Sequence, residues 1–491
     1  MTAPLWTAAE IAAATGGTLH GDFAATGVSI DTRSLEAGDL FVALGGARDG
    51  HEFVAGALTK GAAGSLVSRA VEGPHVRVDD VLAALEKLGV AARDRAPARR
   101  CAVTGSVGKT SVTQAIAAGL ARAGRWHSSV KSYNNHIGVP LTLARMPRDT
   151  ARAVFEIGMN HADEITPLTA MVQPDVAVIT TVGPVHTENF PDGEQGVARA
   201  KAEIFSGLRE GGVAVLNADN YWFGFLKAEA LKVGAKVVTF GSINGCDAQL
   251  LSFTPGLAPS GSLREPPPPE GEDPLRQDAP PLGELSAKPT EGATVSAILH
   301  GEQISFPILQ TGHHWGMNSL AVLLALEAMD VSREDALASL AAFAPLAGRG
   351  AEREVAGFTL IDESYNANPI SMASAIATLG ARATRGRRIV ALTDMLELGP
   401  DAVKFHQGLV EHLVAAKVDA VYAAGPLMKS LYDALPATQQ GGYAETAEAL
   451  APLVARAAEP GDVVMVKGSN GSGAHRIAAA VAARGSRGED A

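Results

Sequence analysis

Short apolar runs alternate with longer amphipathic stretches over most of the chain. From about residue 98 the runs RCAVTG, ARAVFEIG, PDVAVITTVG, GVAVLN and KVVTFG recur, with helical spacing between most of them. Runs rich in β-branched residues and lacking polar alternation belong to strands covered on both faces. They predict a mainly parallel sheet with helices on either side. A second set, GFTLIDES, RRIVALTD, VDAVYAAG and GDVVMVKGS, begins after the GRG at 348–350 and predicts another doubly wound sheet. Before residue 98 the pattern differs. TAAEIAAATGG reads as a short helix capped by Thr7 and stopped by a glycine pair, and VSIDTRSLEAGDLFVAL as strand, turn, strand. Residues 80–95 read as a helix leading into RAPARR, taken as a linker. The expected fold is α/β in three domains: a small N-terminal α/β unit (1–97), a central unit with a mainly parallel sheet (98–346) and a Rossmann-like C-terminal unit (347–491).

One segment breaks this scheme. Residues 255–289 hold ten of the 27 prolines and almost no large apolar side chains, so they read as a solvated, polyproline-biased insertion. It lies between KVVTFG and a hairpin expected in TVSAILHGEQISFPIL.

Composition narrows the function classes. A chain of 491 residues with 46% hydrophobic and 19% charged residues is globular and too long for one core. A formal net charge of −12 and no basic run argue against nucleic-acid binding. Two cysteines without paired spacing, Cys101 and Cys246, exclude a disulfide framework, and Cys101 reads as filling in a buried strand. The start of the chain lacks a signal-peptide pattern, and no apolar stretch reaches the length of a membrane span. A cytoplasmic protein is expected.

The candidate chemistry begins at CAVTGSVGKTS (101–111). The usual phosphate loop has a glycine where this chain has Val103, and here the first glycine is Gly105. The setting is still that of a phosphate loop: an apolar strand, then Thr104, Gly105, Ser106, Val107 and Gly108, then Lys109, Thr110 and Ser111 opening a helix. This order puts backbone N–H groups and a helix N-terminus against phosphate oxygens. Lys109 would reach the terminal phosphates and Thr110 would hold Mg²⁺. ATP is the expected nucleotide, since no N-K-x-D guanine motif occurs. Glu156 ends the strand in FEIGMN, and His186 follows the strand in ITTVGPVHTENF. Both therefore fall where α/β sheets bind ligands, and together they suit a metal beside a triphosphate. Lys201, near Glu203 in a helical stretch, reads from the residues alone as a solvated salt bridge.

TGSVGKT, YNNHIGVP, FEIGMN, VHTENF, AKAEIF, NADN, GHHWGMNSLAVLLAL, AGRG, DESYNANP, LTDMLELG and VKGSNGSG stand in the order and spacing of the Mur ligases, which the chain resembles over nearly its whole length outside the proline-rich segment. The TGxxGKT form is usual in that family. The resemblance implies a domain for a UDP-sugar-peptide, a P-loop ATPase domain, and a C-terminal domain closing over the nucleotide. YNANP with DMLELG points to the branch that adds D-alanyl-D-alanine to UDP-N-acetylmuramoyl-tripeptide through an acyl phosphate, in cytoplasmic peptidoglycan precursor synthesis. The DNPR-like motif of the diaminopimelate- or lysine-adding branch is absent. A folylpolyglutamate synthetase would not need the N-terminal domain.

The resemblance also implies roles. Lys109, Lys201, His186 and Glu156 are catalytic. Thr110, Glu156, His186 and a carbamylated Lys201 serve the Mg²⁺ ions. ATP contacts come from residues 104–111, Asn135, Asn318, Arg349, Asp362, Glu363 and Tyr365. Substrate contacts come from Asp31, Thr32 and Arg33 in a uridine pocket, and from Asn366, Asn368, Lys467 and Ser469. A monomer is expected. The chain departs from the pattern twice. Asp362-Glu363 replaces a pair of aspartates, leaving open which acid meets the ribose. Asn470-Gly471 also stands where an arginine is common, so that contact is either lost or supplied from elsewhere, with Arg476 as a candidate.

Overall fold

The computed structural model describes residues 4–46, 48–130, 132–256 and 292–485. From residue 257 on, the proline-rich segment lies outside the described residues. The first helix, Ala8–Thr15, forms as its sequence directs. Thr7 and Glu10 make a reciprocal capping box, and Gly16 closes the helix with φ +74°. A five-stranded sheet follows, in the order Thr18–His20, His75–Arg77, Gly64–Val67, Asp39–Val42, Gly27–Ser29. The two strands read around the turn at 30–38 pair in parallel. RAPARR is a linker only over residues 96–98, since the helix runs to Arg95. Arg99 and Arg100 already belong to the strand Arg99–Thr104, and their guanidinium groups are drawn off to the carbonyls of Ala328 and Gln173. Their charge concealed a strand start.

Nine strands make the central sheet, in the order Glu302–Ile308, Gly292–Leu299, Ala248–Gly256, Lys236–Gly241, Val213–Asn217, Val176–Ile179, Arg99–Thr104, Arg152–Glu156, Trp126–Ser128. The strands predicted from apolar runs pair in parallel, and the hairpin turns on His300 and Gly301, both with positive φ. Alternation along Arg99–Thr104 shows why the runs are continuous. Cys101 and Val103 enter one apolar cluster with the helices Lys109–Arg122 and His314–Ala328, while Ala102 enters another on the opposite face. The C-terminal sheet has six strands, Ala351–Val355, Phe358–Glu363, Val463–Lys467, Arg388–Thr393, Ala420–Ala424 and Gln440–Ala444, parallel after the first pair. It too has an apolar cluster on each face. The N-terminal sheet's core extends across Leu141 and Ala144 of the helix Gly138–Ala144, which docks it onto the central unit. No helix among the described residues is long and apolar enough to cross a membrane.

Candidate active site

The phosphate loop leaves its strand at Thr104 and is anchored sideways to the neighbouring strand end. Ser106 N donates to Thr181 O (2.8 Å), Ser106 Oγ exchanges hydrogen bonds with Gly183, and Thr180 Oγ1 donates to Val107 O (2.5 Å). Gly105 (φ +151°) and Gly108 (φ +85°) supply backbone angles that other residues rarely adopt. Gly108 then caps the helix Lys109–Arg122, whose N-terminal amides and dipole face the loop. Lys109 folds back onto Gly105 O at 2.8 Å, and burial draws its pKa down against the opposing pull of Glu156. Asn318 stands against Gly108, where an added Cβ would lie 3.4 Å from Asn318 Oδ1.

Glu156 is 1% exposed at the end of its strand. Its Oε1 accepts from Asn134 Nδ2 at 2.7 Å, while its Oε2 is buried with no hydrogen-bond partner. Lys201 is only 2% exposed, and burial and then the nearby Lys109 push its pKa well below the ordinary lysine range. The solvated pair with Glu203 does not exist. Glu203 instead accepts from Asp163 N, Ile165 N, Thr166 N and Thr166 Oγ1 at the start of the helix Ile165–Val172. His186 has left-handed backbone (φ +58°), and burial, then Lys109 and Lys201, lower its pKa to about 4, so the ring is neutral at pH 7. Its Nδ1 lies 2.7 Å from Glu397 Oε2 but is not aligned for a hydrogen bond. The carboxyl pKa of Glu397 is raised by burial and by Glu188.

Residues 103–254 match the Mur ligase middle domain and residues 348–470 the Mur ligase glutamate ligase domain. The chain belongs to the Mur ligase family. It is 32% identical to the UDP-N-acetylmuramoyl-tripeptide–D-alanyl-D-alanine ligase of Bacillus subtilis, over 91% of this chain and 90% of the relative. It is also 32% identical to the Escherichia coli protein of the same name, over 83% of each. A crystal structure of MurF from Acinetobacter baumannii matches with a TM-score of 0.79 at 26% identity, covering 97% of this chain and 98% of that one.

In this Mur ligase the C-terminal unit closes one wall of the cleft. Arg349 sits between Gly348 and Gly350, both with positive φ. It donates to Thr110 Oγ1 at 3.0 Å and stacks 3.9 Å over the Tyr365 ring. Tyr365 OH meets Ser132 Oγ at 2.8 Å, and Ser132 Oγ lies 3.2 Å from Thr110 Oγ1, completing a ring of contacts around the phosphate loop. Behind Arg349 is a cavity of about 240 Å³, lined by Gln310, His314, Trp315, Glu363 and Arg382 among others. Adjacent strand positions point to opposite sides, and the two acids divide accordingly. Asp362 is buried on Ser364 N and Oγ, while Glu363 faces the cavity and pairs with Lys467 at 3.2 Å. Lys467 also donates to Asn366 O.

Several expected residues are engaged in local contacts. Asn135 caps the helix Gly138–Ala144 through Ile137 N and Gly138 N, and Asn134 is the one that reaches Glu156. Asn368 caps Pro369–Ala381 in a box with Ser371. Asn366 Oδ1 accepts from Ala367 N, and Ser469 Oγ bridges Leu396 N and Ala367 O. Arg476 pairs with Glu448, not with the cleft. Asp31 and Arg33 pair with each other, and Thr32 O accepts from Lys60. The cavity beside them, of about 480 Å³, is instead lined by Leu44, Asp49, His51, Ser68, Arg69 and His136 among others. Ser132, His314 and Glu397 were not singled out from the sequence, although His314 and Glu397 lie inside motif stretches. Asn134 belongs to the 134–135 pair, one member of which is expected near adenine from the resemblance.

Proposed function

We propose that this Mur ligase adds D-alanyl-D-alanine to UDP-N-acetylmuramoyl-tripeptide, consuming ATP and releasing ADP and phosphate. The observation that carries this reading is the meeting, in one interdomain cleft, of the phosphate loop, the free Glu156 Oε2, the buried Lys201 amine and the C-terminal clamp of Arg349 and Tyr365. The names of the most similar relatives supply the substrate pair. The N-terminal unit (1–97) would hold the UDP-sugar-peptide, the central unit (98–346) ATP, and the C-terminal unit (347–491) the dipeptide.

An oxygen of the tripeptide's terminal carboxylate attacks the γ-phosphorus, the bond to ADP breaks, and an acyl phosphate forms. The dipeptide nitrogen then attacks the acyl carbon, a proton leaves the nitrogen, and inorganic phosphate departs. Lys109 and Arg349 balance charge on the phosphates, and loop amides accept the developing negative charge. Loss of one such contact typically costs about 10²–10³ in rate. Closure by the C-terminal unit excludes water, which would hydrolyse the acyl phosphate.

The residues present fit magnesium. Glu156 Oε2 is a buried hard oxygen without a partner, Thr110 offers a hydroxyl, and His186 is neutral. Among the described residues no three His, Cys, Asp or Glu side chains form a ready cage. That suits an ion held largely by phosphates and water. Bound magnesium would neutralise charge on the transferring phosphoryl group. Burial and the nearby Lys109 draw the Lys201 pKa down, which favours the free amine that reacts with carbon dioxide, so Lys201 as a carbamate would add a carboxylate to Thr110, Glu156 and His186. Dependence on ATP and a nucleotide sugar supports a cytoplasmic reaction. The phosphate loop and the clamp facing it come from one chain, which supports a monomer as the working unit.

The test is phosphate release with ATP and UDP-N-acetylmuramoyl-tripeptide, comparing D-alanyl-D-alanine, diaminopimelate and glutamate. Release should depend on D-alanyl-D-alanine, and release that ignores it sinks the assignment. For Lys201, gently handled protein should carry the mass of one carbon dioxide, and Lys201→Ala, which has no amine to carbamylate, should regain activity with a short carboxylate such as acetate seated in the vacated space. Failure of both discards the carbamate.

A further inference from the structure

We infer that Glu397 is the anion that receives the amino group of the incoming amine substrate, a specificity-determining contact carried by the C-terminal unit into the phosphoryl-transfer cleft. This rests on the proposed amide-forming reaction and names a residue for its second step.

The loop at 394–399 is fixed from four directions. The Asp394 carboxylate accepts from Met428 N (2.7 Å) and Leu427 N (3.3 Å). Met395 N donates to His406 Nε2 (2.9 Å) and Leu396 N to Ser469 Oγ (3.0 Å). Gly399 (φ +64°) packs against Glu188, whose Cβ would be 3.1 Å from an added Cβ. Within this clamped loop Glu397 adopts φ +62°, an unfavourable angle for a side chain of its kind, kept only where surrounding contacts impose it. The result is a carboxylate 2.7 Å from His186 Nδ1, with its side chain still 55% exposed on the cleft.

Charge gives this carboxylate a task. Lys109, Arg349 and the helix N-terminus make the phosphate side of the cleft positive. That arrangement suits ATP and the carboxylate to be activated, and it repels an ammonium group. An amine substrate must arrive opposite the phosphates and within reach of the acyl carbon. Glu156 cannot meet it, being buried and held by Asn134. Glu397 comes from the C-terminal unit, keeps its side chain half exposed, and has Glu188 beside it to add negative charge.

The experiment compares wild type with Glu397→Gln, Glu397→Asp and Glu397→Ala in the full chain. Two reactions are read separately: positional isotope exchange in labelled ATP with UDP-N-acetylmuramoyl-tripeptide alone, which reports acyl phosphate formation, and amide formation with D-alanyl-D-alanine. Glu397→Gln should raise KM for the dipeptide by about 10–100-fold, the size of a lost hydrogen bond to a charged group. Isotope exchange and the KM values for ATP and the tripeptide should stay within about threefold, a difference of well under 1 kcal/mol. Hydroxylamine, a nucleophile that is uncharged at neutral pH, should trap the acyl phosphate equally well in wild type and variant. Glu397→Asp should fall between wild type and Glu397→Gln. Isotope exchange that falls with amide formation would overturn the inference and make Glu397 part of closure or phosphoryl transfer. An unchanged dipeptide KM, or a change only in magnesium dependence, would also overturn it. Wild type that makes the acyl phosphate but passes it to another amine refutes the dipeptide assignment, and the Glu397 effect is then read on that amine's KM.

Discussion

Gly105→Ala probes the short phosphate loop at its first turn. A Cβ there would sit 1.9 Å from Thr180 Oγ1 and 3.2 Å from Thr181 O. Thr180 Oγ1 is engaged with Val107 O and Thr181 O with Ser106 N, so both anchors of the loop are in the way. Holding a residue with a side chain at φ +151° costs about 1–3 kcal/mol. Overpacking adds about 1–3 kcal/mol, and the displaced Thr180 bond about 1 kcal/mol. If the loop kept its shape the variant would lose about 3–7 kcal/mol, a large share of a typical ~5–15 kcal/mol. If the loop moved instead, stability would fall less and the amides would no longer converge on phosphate. Urea denaturation and nucleotide titration together separate these outcomes. Either stability drops by that amount, or nucleotide affinity drops by at least about 100-fold, equivalent to ~2.7 kcal/mol. Thr180→Ala alone should cost about 1 kcal/mol. Adding it to Gly105→Ala should recover part of the loss, because the closest clash disappears, so the two changes will not add. The reasoning fails if Gly105→Ala matches wild type in both measurements, or if the double variant is strictly additive.

Glu203→Ala removes four hydrogen bonds at the start of Ile165–Val172 and should cost about 2–3 kcal/mol in urea denaturation, the range for a charge-assisted cap. Arg349→Lys keeps the charge but loses the planar stack on Tyr365 and the directed bond to Thr110, so kcat/KM for ATP should fall about 10–100-fold. Tyr365→Phe, which loses only the Ser132 contact, should fall less. His406 accepts from Met395 N and is buried, which lowers its pKa. The unfolded chain therefore takes up a proton near pH 6.5 that the native state refuses, and stability declines as pH falls below that value, by at most about 1.4 kcal/mol per pH unit for this group. His406→Gln, whose amide oxygen can still accept, should show a shallower decline between pH 7 and pH 5 when the two proteins are denatured side by side.

The central and C-terminal sheets were legible because their inner strands are buried on both faces, where hydrophobicity runs unbroken. The edge strand Trp126–Ser128 and the long strand Ala248–Gly256 carry no such run, one being half exposed and the other largely polar on one side. Lys201 was misread from its neighbour Glu203. Residues two apart near a helix end do not face each other, and each side chain went its own way, the lysine inward and the acid to a helix cap. Asn134 and Asn135 are equivalent in a string, and only the turn before Gly138 decides which becomes a cap and which meets Glu156.

The contacts between the central and C-terminal units escaped the sequence for a different reason. Arg349 on Thr110, Tyr365 on Ser132, and Glu397 beside His186 join residues from distant parts of the chain, and no local period encodes them. The central unit alone presents phosphate-binding amides, a lysine, an acid and an imidazole, which suffice to hold a nucleotide. Directing the activated carboxylate to an amine, and not to water, requires the C-terminal wall. That wall reaches the cleft through the Gly348–Gly350 turn and through a loop held by Asp394, His406 and Ser469. Weakening those supports should therefore uncouple ATP consumption from amide formation before it abolishes nucleotide binding. His406→Phe, which cannot accept from Met395 N, should raise phosphate release without product relative to wild type, and equal coupling in the two proteins would show that the loop's position does not matter.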